Sequence, residues 1–496
     1  MNKFAAVLIT AFGMLNGNSV AAPVVQATLT LGNQATILCT DPVRAKAYAT
    51  NFGDGTVSVI DLATLAVVAT VPAGPSPRRA LCNTATNRVY VVNTVNAGTV
   101  TVLDGNDHRV IATIPVGSQP RTIGADLSRD ELYVSNGGSD TVSIVSTATH
   151  AVIGTVTVGT GPGFASASAT LGKIYVPSAT DGTVCVIDQS SRTVKTVKVG
   201  NGPQYAALDS QHGKVYVNNV TDRTMSVIDS ATDTVVRTLP TGAGTSSNFA
   251  EVNGVYRRAY LPNASDGTLT IIDTETDTVV ATLPVGSSPV DVTIDAGGGN
   301  AYVVNNASNS VSIIDAATEK VLGSYAVGTG PSRIAESSEM LLVLNANGSN
   351  PDTLTISSKE NTVVGTEIAT EFYHAAFNHY FHTADPGETR LLQDGLFDAN
   401  WRRTFEFWRV WTVPGPGRLP VCRFFSTTFG TRSSHFYTPY AAECAGLQAG
   451  GNWQLESGSV YYLMLPDAGG GCPVGTEPLY RAYNNALSGA PNHRYT

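Results

Sequence analysis

The stretch AYVVNNASNSVSIIDAATEKVLGSYAVGTGP, residues 301–331, carries the pattern that decides the fold. Tyr302, Val304, Val311, Ile313, Val321 and Tyr325 sit among small and polar residues in short β-branched runs, each bounded by Asn, Ser, Gly or Pro. Such runs read as strands and their boundaries as turns. Three strands are written here, and the apolar run at 290–294 supplies a fourth. Four short strands in a period of about forty residues form one blade of a β-propeller.

The same period runs through most of the chain. Tyr48, Tyr90, Tyr133, Tyr175, Tyr216, Tyr260 and Tyr302 recur about every forty-two residues, and Leu342 is a weaker eighth match. Three residues beyond each marker stand Asn51, Asn93, Asn136, Ser178, Asn219, Asn263, Asn305 and Asn345. The next strand ends at Asp61, Asp104, Asp188, Asp229, Asp273 and Asp315, and each unit closes on a glycine, usually followed by Pro within three residues. The Tyr, alternating with small neighbours, is expected to pack between blades. The Asn is expected to bond to the next turn's backbone, and the Asp to open an Asx-type turn. Asp54-Gly55, Asp181-Gly182 and Asp266-Gly267 supply positive φ for a hairpin. Turn chemistry therefore accounts for the acidic positions without calcium, whose sites need a denser ligand set.

Read together, AYATN, VYVVN, LYVSN, VYVNN and AYVVN, each followed by TVSVID-like and VVATLPVG-like strands, resemble the YVTN-type β-propeller repeats of bacterial and archaeal surface and periplasmic proteins. The resemblance covers residues 24–368. It implies a propeller that serves as a binding or scaffold protein, in a family whose usual ring has seven blades. Eight units are present here, although the eighth, 332–370, lacks the Tyr, the Asp and the closing Gly. VVQATLTLG, ending at Gly32, matches an outer strand with no unit in front of it. It is expected to complete the last blade and remove an open edge. Eight blades are favoured, with seven plus a degenerate linker unit as the alternative.

Texture changes after Thr370. From Glu371 onward aromatic residues become dense, all four Trp appear, and five of the eight His are found. YFHTADPGE (380–388) parallels HFYTPYAAE (435–443), both run on to a Trp, and LYRAYNNALSGAPNHRYT opens a third copy. These motifs resemble a bacterial secreted-domain family of uncharacterised function with His-Tyr-Phe-Thr repeats, covering 371–496. The fold class is thus all-β: a propeller over 24–370 and a smaller aromatic-rich β domain over 371–496.

The first residues combine Lys3, an apolar run from Phe4 to Leu15 and small residues around Ala21. This reads as a cleavable signal peptide over 1–22 and a secreted, periplasmic or cell-surface protein. No later segment is long and apolar enough for a membrane helix. In an oxidising compartment the six cysteines can pair. Cys39 and Cys82 hold similar places in successive units, which leaves an inter-blade bridge open, and Cys185 reads as a buried thiol. Cys422, Cys444 and Cys472 are odd in number. A net charge of −9 gives no basic field for nucleic acid or anionic lipid.

The candidate chemistry lies in the tail. His379, His382, His435 and His493 with Glu388 and Glu443 are the right residue types for zinc. Strand geometry opposes it, because residues three apart face opposite sides. No metal or other cofactor is expected. Rings beside hydrogen-bonding groups suit a saccharide, which stacks its C–H face and binds through its hydroxyls. Trp401, Tyr437, Trp453 and Tyr462 are the candidate platforms, with His435, Glu443 and Arg481 as polar partners; the competing reading places most of these rings in a core. The propeller shows no C-x-x-C-H and no G-x-S-x-G, so no catalytic residue is assigned. The expectation is a secreted, non-enzymatic binding or scaffold protein, with the propeller as interaction platform and the C-terminal domain binding an extracellular or cell-surface glycan, the partner being a glycan or a surface protein. The alternatives are a lactonase-like propeller hydrolase with an accessory domain and a surface protein that binds proteins only.

Overall fold

The computed structural model describes residues 11–15 and 23–495, apart from 243–249, 296–298, 317, 338–339, 347–350, 360–365, 375–378, 386–387, 390–391, 393–399, 413, 430–431, 466–475 and 484–492. Two compact units are present: Ala22–Lys359, and Glu360–Thr496 together with Met1–Ala21. The division precedes the change of composition at Glu371 because Thr366–His374 pairs with Trp401–Trp411 inside the second unit.

The first unit is built of eight four-stranded antiparallel sheets. In the blade that contains the opening stretch, the strands run Pro289–Ile294, Asn300–Asn305, Ser310–Asp315 and Lys320–Ala326 from the axis outward. The first strands of successive blades pack on one another around the axis, and Pro331–Ser337 of the eighth packs back on Ala35–Asp41 of the first. The ring is an eight-bladed propeller. Its last blade takes Pro331–Ser337, Met340–Asn345 and Thr353–Ser358 from the end of the repeats. Val25–Thr30 pairs antiparallel with Thr353–Ser358 as the outer strand. The eighth unit thus dispenses with its own fourth strand, and buried Leu342 takes the place of the tyrosine.

The repeated markers do mechanical work. All seven tyrosines are fully buried. Tyr48 packs with Val57 and Val59 of its own blade and with Ala80, Val89 and Val91 of the next, so the ring fills the seam between two sheets. Asp61 accepts from the backbone N–H of Ala63 at 3.0 Å and of Thr64 at 2.8 Å, which is the expected Asx turn. The asparagines differ from expectation. Asn51 Nδ2 donates to the hydroxyls of Thr56 and Ser58 on the neighbouring strand, both at 2.9 Å, while its Oδ1 accepts from the N–H of Gly32. The closing glycine follows from this contact: a Cβ on Gly32 would lie 2.6 Å from Asn51 Cγ. What looked like a turn glycine is the floor on which the asparagine rests.

The step from one blade to the next is equally regular. The residue ahead of the axial strand is left-handed in six blades, at Gln34, Ser76, Gln119, Gly202, Ser288 and Gly330. A bulge follows within the strand, seen as register shifts at Ala35/Ile37, Pro77/Arg79, Pro120/Thr122, Pro203/Tyr205, Pro289/Asp291 and Pro331/Arg333. A bulge frees one residue from the ladder and re-aims its neighbours.

The second unit has two sheets. The larger joins His379–Thr383, Thr366–His374, Trp401–Trp411, Tyr462–Met464, Thr476–Tyr483 and His493–Tyr495, with Arg418–Pro420 at its side. The strand Ala11–Leu15, from the segment read as a leader, pairs antiparallel with Thr476–Tyr483. The smaller sheet orders Arg432–Thr438, Cys422–Phe429 and Gln454–Ser457, and the helix Ala441–Gly450 follows its edge strand. Disulfides join Cys39 to Cys82 and Cys422 to Cys444, and Cys185 is a buried free thiol. Cys472 lies outside the described residues. Among the described residues no helix is long and apolar enough to cross a membrane.

Candidate functional site

The bulges surround a cavity of about 740 Å³ at one end of the propeller axis. That volume is of the size that takes a small ligand. Four guanidinium groups line it: Arg78 and Arg79 from the second blade, Arg121 from the third and Arg333 from the eighth. All four belong to the first or second residue after the proline that opens an axial strand. Thr122 and Ser332 add hydrogen-bonding groups beside Arg121 and Arg333, Thr36 and Gln204 add them from the first and fifth blades, and Phe52 and Phe164 add rings. No carboxylate is among the described lining residues. The chain is acidic overall, yet this mouth is locally basic.

The arginines occupy two levels. Arg78 and Arg121 are exposed at the rim, while Arg79 and Arg333 are half-buried beneath. The Arg79 guanidinium lies 4.8 Å from the centre of the Phe164 ring, a cation–π contact, and Phe164 meets Tyr205 edge-on at 5.7 Å. Arg333 donates to the carbonyl of Ser332 at 2.6 Å. Burial holds the Arg79 guanidinium below the usual arginine range, and partial desolvation by the surrounding wall lowers Arg78 although its side chain reaches solvent. Repulsion from Arg121 and Arg333 adds to this at Arg78. Behind the wall sits buried Asp291, whose carboxylate accepts from the N–H groups of Val292 and Ile334, both at 3.1 Å. Burial pushes this carboxyl up to about 6, against the pull of nearby Arg333. Burial pushes Glu251 up to about 7, with Asp291 adding to it.

Sequence reasoning missed this site, because it looked for histidines and paired carboxylates at the strand ends. A signal was present: aligning the units on Gly-x-x-Pro and reading the next two residues gives Arg78-Arg79, Arg121-Thr122 and Ser332-Arg333, where other units have Gly163-Phe164, Gln204-Tyr205 and Val290-Asp291.

The residues singled out in the tail assemble differently. His435 and Tyr437 are buried. His435 Nδ1 lies 2.6 Å from His379 Nε2, and its Nε2 lies 3.0 Å from Glu456. Arg423 holds Glu388 through two bonds of 2.8 and 2.9 Å and Glu456 at 3.0 Å, and its guanidinium covers the Phe381 ring. The Tyr437 hydroxyl donates to the carbonyl of His382 and accepts from its N–H, both at 2.8 Å. Neither residue offers an exposed platform or hydrogen-bonding edge; the two join the edge strands of the two sheets. His379 and His382 diverge as strand geometry requires, the second pairing with Glu371 at 3.0 Å.

Glu443 accepts from the Thr438 hydroxyl in the first turn of the helix. Thr383 and Glu388 repeat that contact at 2.6 Å, which gives the internal repeat a physical basis. Trp401 meets His374 and His379 edge-on, and Trp453 packs edge-on against Phe436. Tyr462 pairs with Trp411 and Pro420. These three rings keep partial exposure. Arg481 lies on Thr476–Tyr483 opposite Tyr495, and its side chain is outside the described residues, as is that of His493. Buried His435 and Tyr437 thus take no part in an open groove with the partly exposed rings.

The fold and its mouth define a β-propeller protein with an appended C-terminal domain. Residues 369–496 match the family described as a domain of unknown function, DUF5648. No curated protein matches the chain. Among solved structures, the dihydro-heme d1 dehydrogenase NirN in complex with DHE is similar over 68% of this chain and 79% of its own, with 13% identity and a TM-score of 0.53. The hydrazine synthase of Kuenenia stuttgartiensis is similar over 57% of this chain and 95% of its own, with 18% identity and a TM-score of 0.46. At such identities the likeness is one of fold.

Proposed function

We propose that the chain is an exported, non-catalytic binding protein that takes an extracellular or cell-surface glycan in the axial mouth of its propeller. The mouth carries this reading. It combines the Phe52 and Phe164 rings with Thr36, Thr122, Gln204, Ser332 and the arginines, all set around one cavity. A ring to stack against a sugar face and directional donors for its hydroxyls are what saccharide recognition needs. Export is supported by the Lys3-led apolar run, and the YVTN-type resemblance of residues 24–368 points to the same surface setting.

A glycan array probed with the full-length protein tests the reading. Saccharides retained by the native chain and lost by Phe164→Ala are the expected result; no retention above background would overturn it. A second reading keeps the glycan on the C-terminal unit, where Trp401, Trp453 and Tyr462 remain partly exposed. It predicts loss of binding in Trp453→Ala with Phe164→Ala unaffected. The rival hydrolase reading predicts turnover of lactones or phosphoesters that disappears with Arg79→Gln. A binder of surface proteins alone would be silent on the array and in turnover.

A further inference from the structure

We infer that the axial mouth is a receptor for a multiply charged oxyanion, one bearing phosphate, sulfate or several carboxylate groups, gripped by Arg78 and Arg121 at the rim and by Arg79 and Arg333 below. The inference rests on the mouth being the ligand site. It does not require the ligand to be a saccharide.

Placement is the first argument. The chain has 30 lysines and arginines in 496 residues, and four arginines meet in one cavity from three separate blades. They come from units whose other positions are nearly interchangeable, so nothing in blade packing calls for them. Arginine presents a planar fork of donors that matches phosphate, sulfate and carboxylate geometry.

Energy is the second. The neighbouring charges that act on Arg78 are Arg121 and Arg333, both repulsive. Like charges brought together in a partly desolvated site destabilise the empty protein, and an entering anion reverses that term. Asp291 sits behind the wall, engaged by two backbone N–H groups. Its charge attracts Arg79 and Arg333 from behind, while Arg78 and Arg121 stand exposed at the rim.

Division of labour follows from the two levels. Arg79 is fixed on Phe164 and makes the floor, whereas exposed Arg78 and Arg121 can close on the ligand. One monovalent group cannot engage arginines spread from the eighth blade to the third, which is why the charge must be multiple.

Full-length protein titrated by calorimetry and thermal shift with sulfate, phosphate, tripolyphosphate and citrate, against sodium chloride at equal ionic strength, tests this. At least one oxyanion should raise Tm saturably while chloride does not, and the three chemistries identify the group preferred. The Arg78→Gln/Arg121→Gln pair should weaken that anion by about tenfold or more, since hydrogen bonds to charged groups are lost. Its ligand-free Tm should be unchanged or higher, because repulsion is relieved. Arg121→Gln alone gives the same sign if the pair folds poorly. Stabilisation no greater than chloride's, or undiminished affinity in both variants, overturns the inference. Anion binding with a blank glycan array sinks the saccharide reading and leaves this one standing; a blank in both removes the mouth as a ligand site.

Discussion

Asn345 and Gly328 show how much of the ring depends on one repeated contact. Asn345 Nδ2 reaches the hydroxyls of Thr353 and Thr355 at 3.2 and 2.9 Å, and a Cβ on Gly328 would stand 2.5 Å from that nitrogen. Asn345→Ala should cost about 1–3 kcal/mol, through buried hydroxyls left with fewer partners. Gly328→Ala should cost a similar amount by displacing the asparagine. In the double variant the second cost should largely vanish, since the group that clashes is gone; urea denaturation of the four proteins gives the coupling directly. Strict additivity would mean that the glycine serves the backbone instead. Tyr437→Phe belongs to the same scale. It leaves the His382 carbonyl and N–H without their hydroxyl partner and should destabilise the C-terminal unit by about 1–3 kcal/mol while the propeller transition stays in place.

Single residues also explain what could be read from the chain beforehand. Tyr302, Asn305 and Asp315 were legible because every blade solves the same packing problem and so repeats them. Arg79, Arg121 and Arg333 were hidden for the opposite reason: they stand where the repeat breaks, and a pattern search discards what does not recur. Tyr437 and Trp453 look alike as sequence. Only the closing of two sheets separates a ring enclosed between edge strands from one that lies partly in water.

At the scale of elements, the ring is fastened at two places. Val25–Thr30 closes the eighth blade, and the Cys39–Cys82 bridge joins the axial strands of the first and second. With Val25–Thr30 in place the last blade has the same short outer edge as its neighbours. Deleting residues 24–31 should therefore expose Thr353–Ser358 and shift the elution profile towards larger species. An unchanged profile would show that the edge protects itself. Cys39→Ser/Cys82→Ser should lower stability by about 2–4 kcal/mol, the usual cost of losing a bridge across a loop of this length, read as a drop in Tm under oxidising conditions only. The expected strand for the last blade and the bridge left open between neighbouring units are both realised, because each follows from the phase of the repeat.

Over the whole molecule, the two units are set to answer acid in opposite senses. In the propeller, burial raises Asp291 and Asp295 to about 6 and Glu251 to about 7, and these outweigh His108 and His150, which burial lowers by less and which act in the other sense. Carboxyls that hold protons more tightly folded than unfolded make stability fall as pH rises from about 4 to about 7. In the other unit, burial, helped by His435, His382 and His374, pushes His379 down to about 2, and burial lowers His435. Such histidines contribute stability that is present above their unfolded value near 6.5 and is lost as pH falls below it. Glu388 acts in the same sense: burial opposes its ionisation, but its bonds to Arg423 and Thr383 hold the carboxyl low. All four tryptophans lie between residues 401 and 453. Tryptophan fluorescence thus watches one unit alone, and calorimetry sees both. Acidification from pH 7 to 5 should lower the fluorescence-detected Tm and raise, or leave, the other transition. Asp291→Asn should flatten the propeller's slope. Transitions that move together would refute the assignment.

The bulge at the head of the axial strands has one more consequence. It detaches the first residue after the proline from the ladder and re-aims the second, so blade stability and mouth chemistry are written largely in separate letters of the same unit. Evolution, or an engineer, can rewrite the mouth one blade at a time while the tyrosine, asparagine and glycine go on holding the ring. A change of ligand then requires a handful of substitutions at addresses known in advance, and the arginines stand as the current spelling at those addresses.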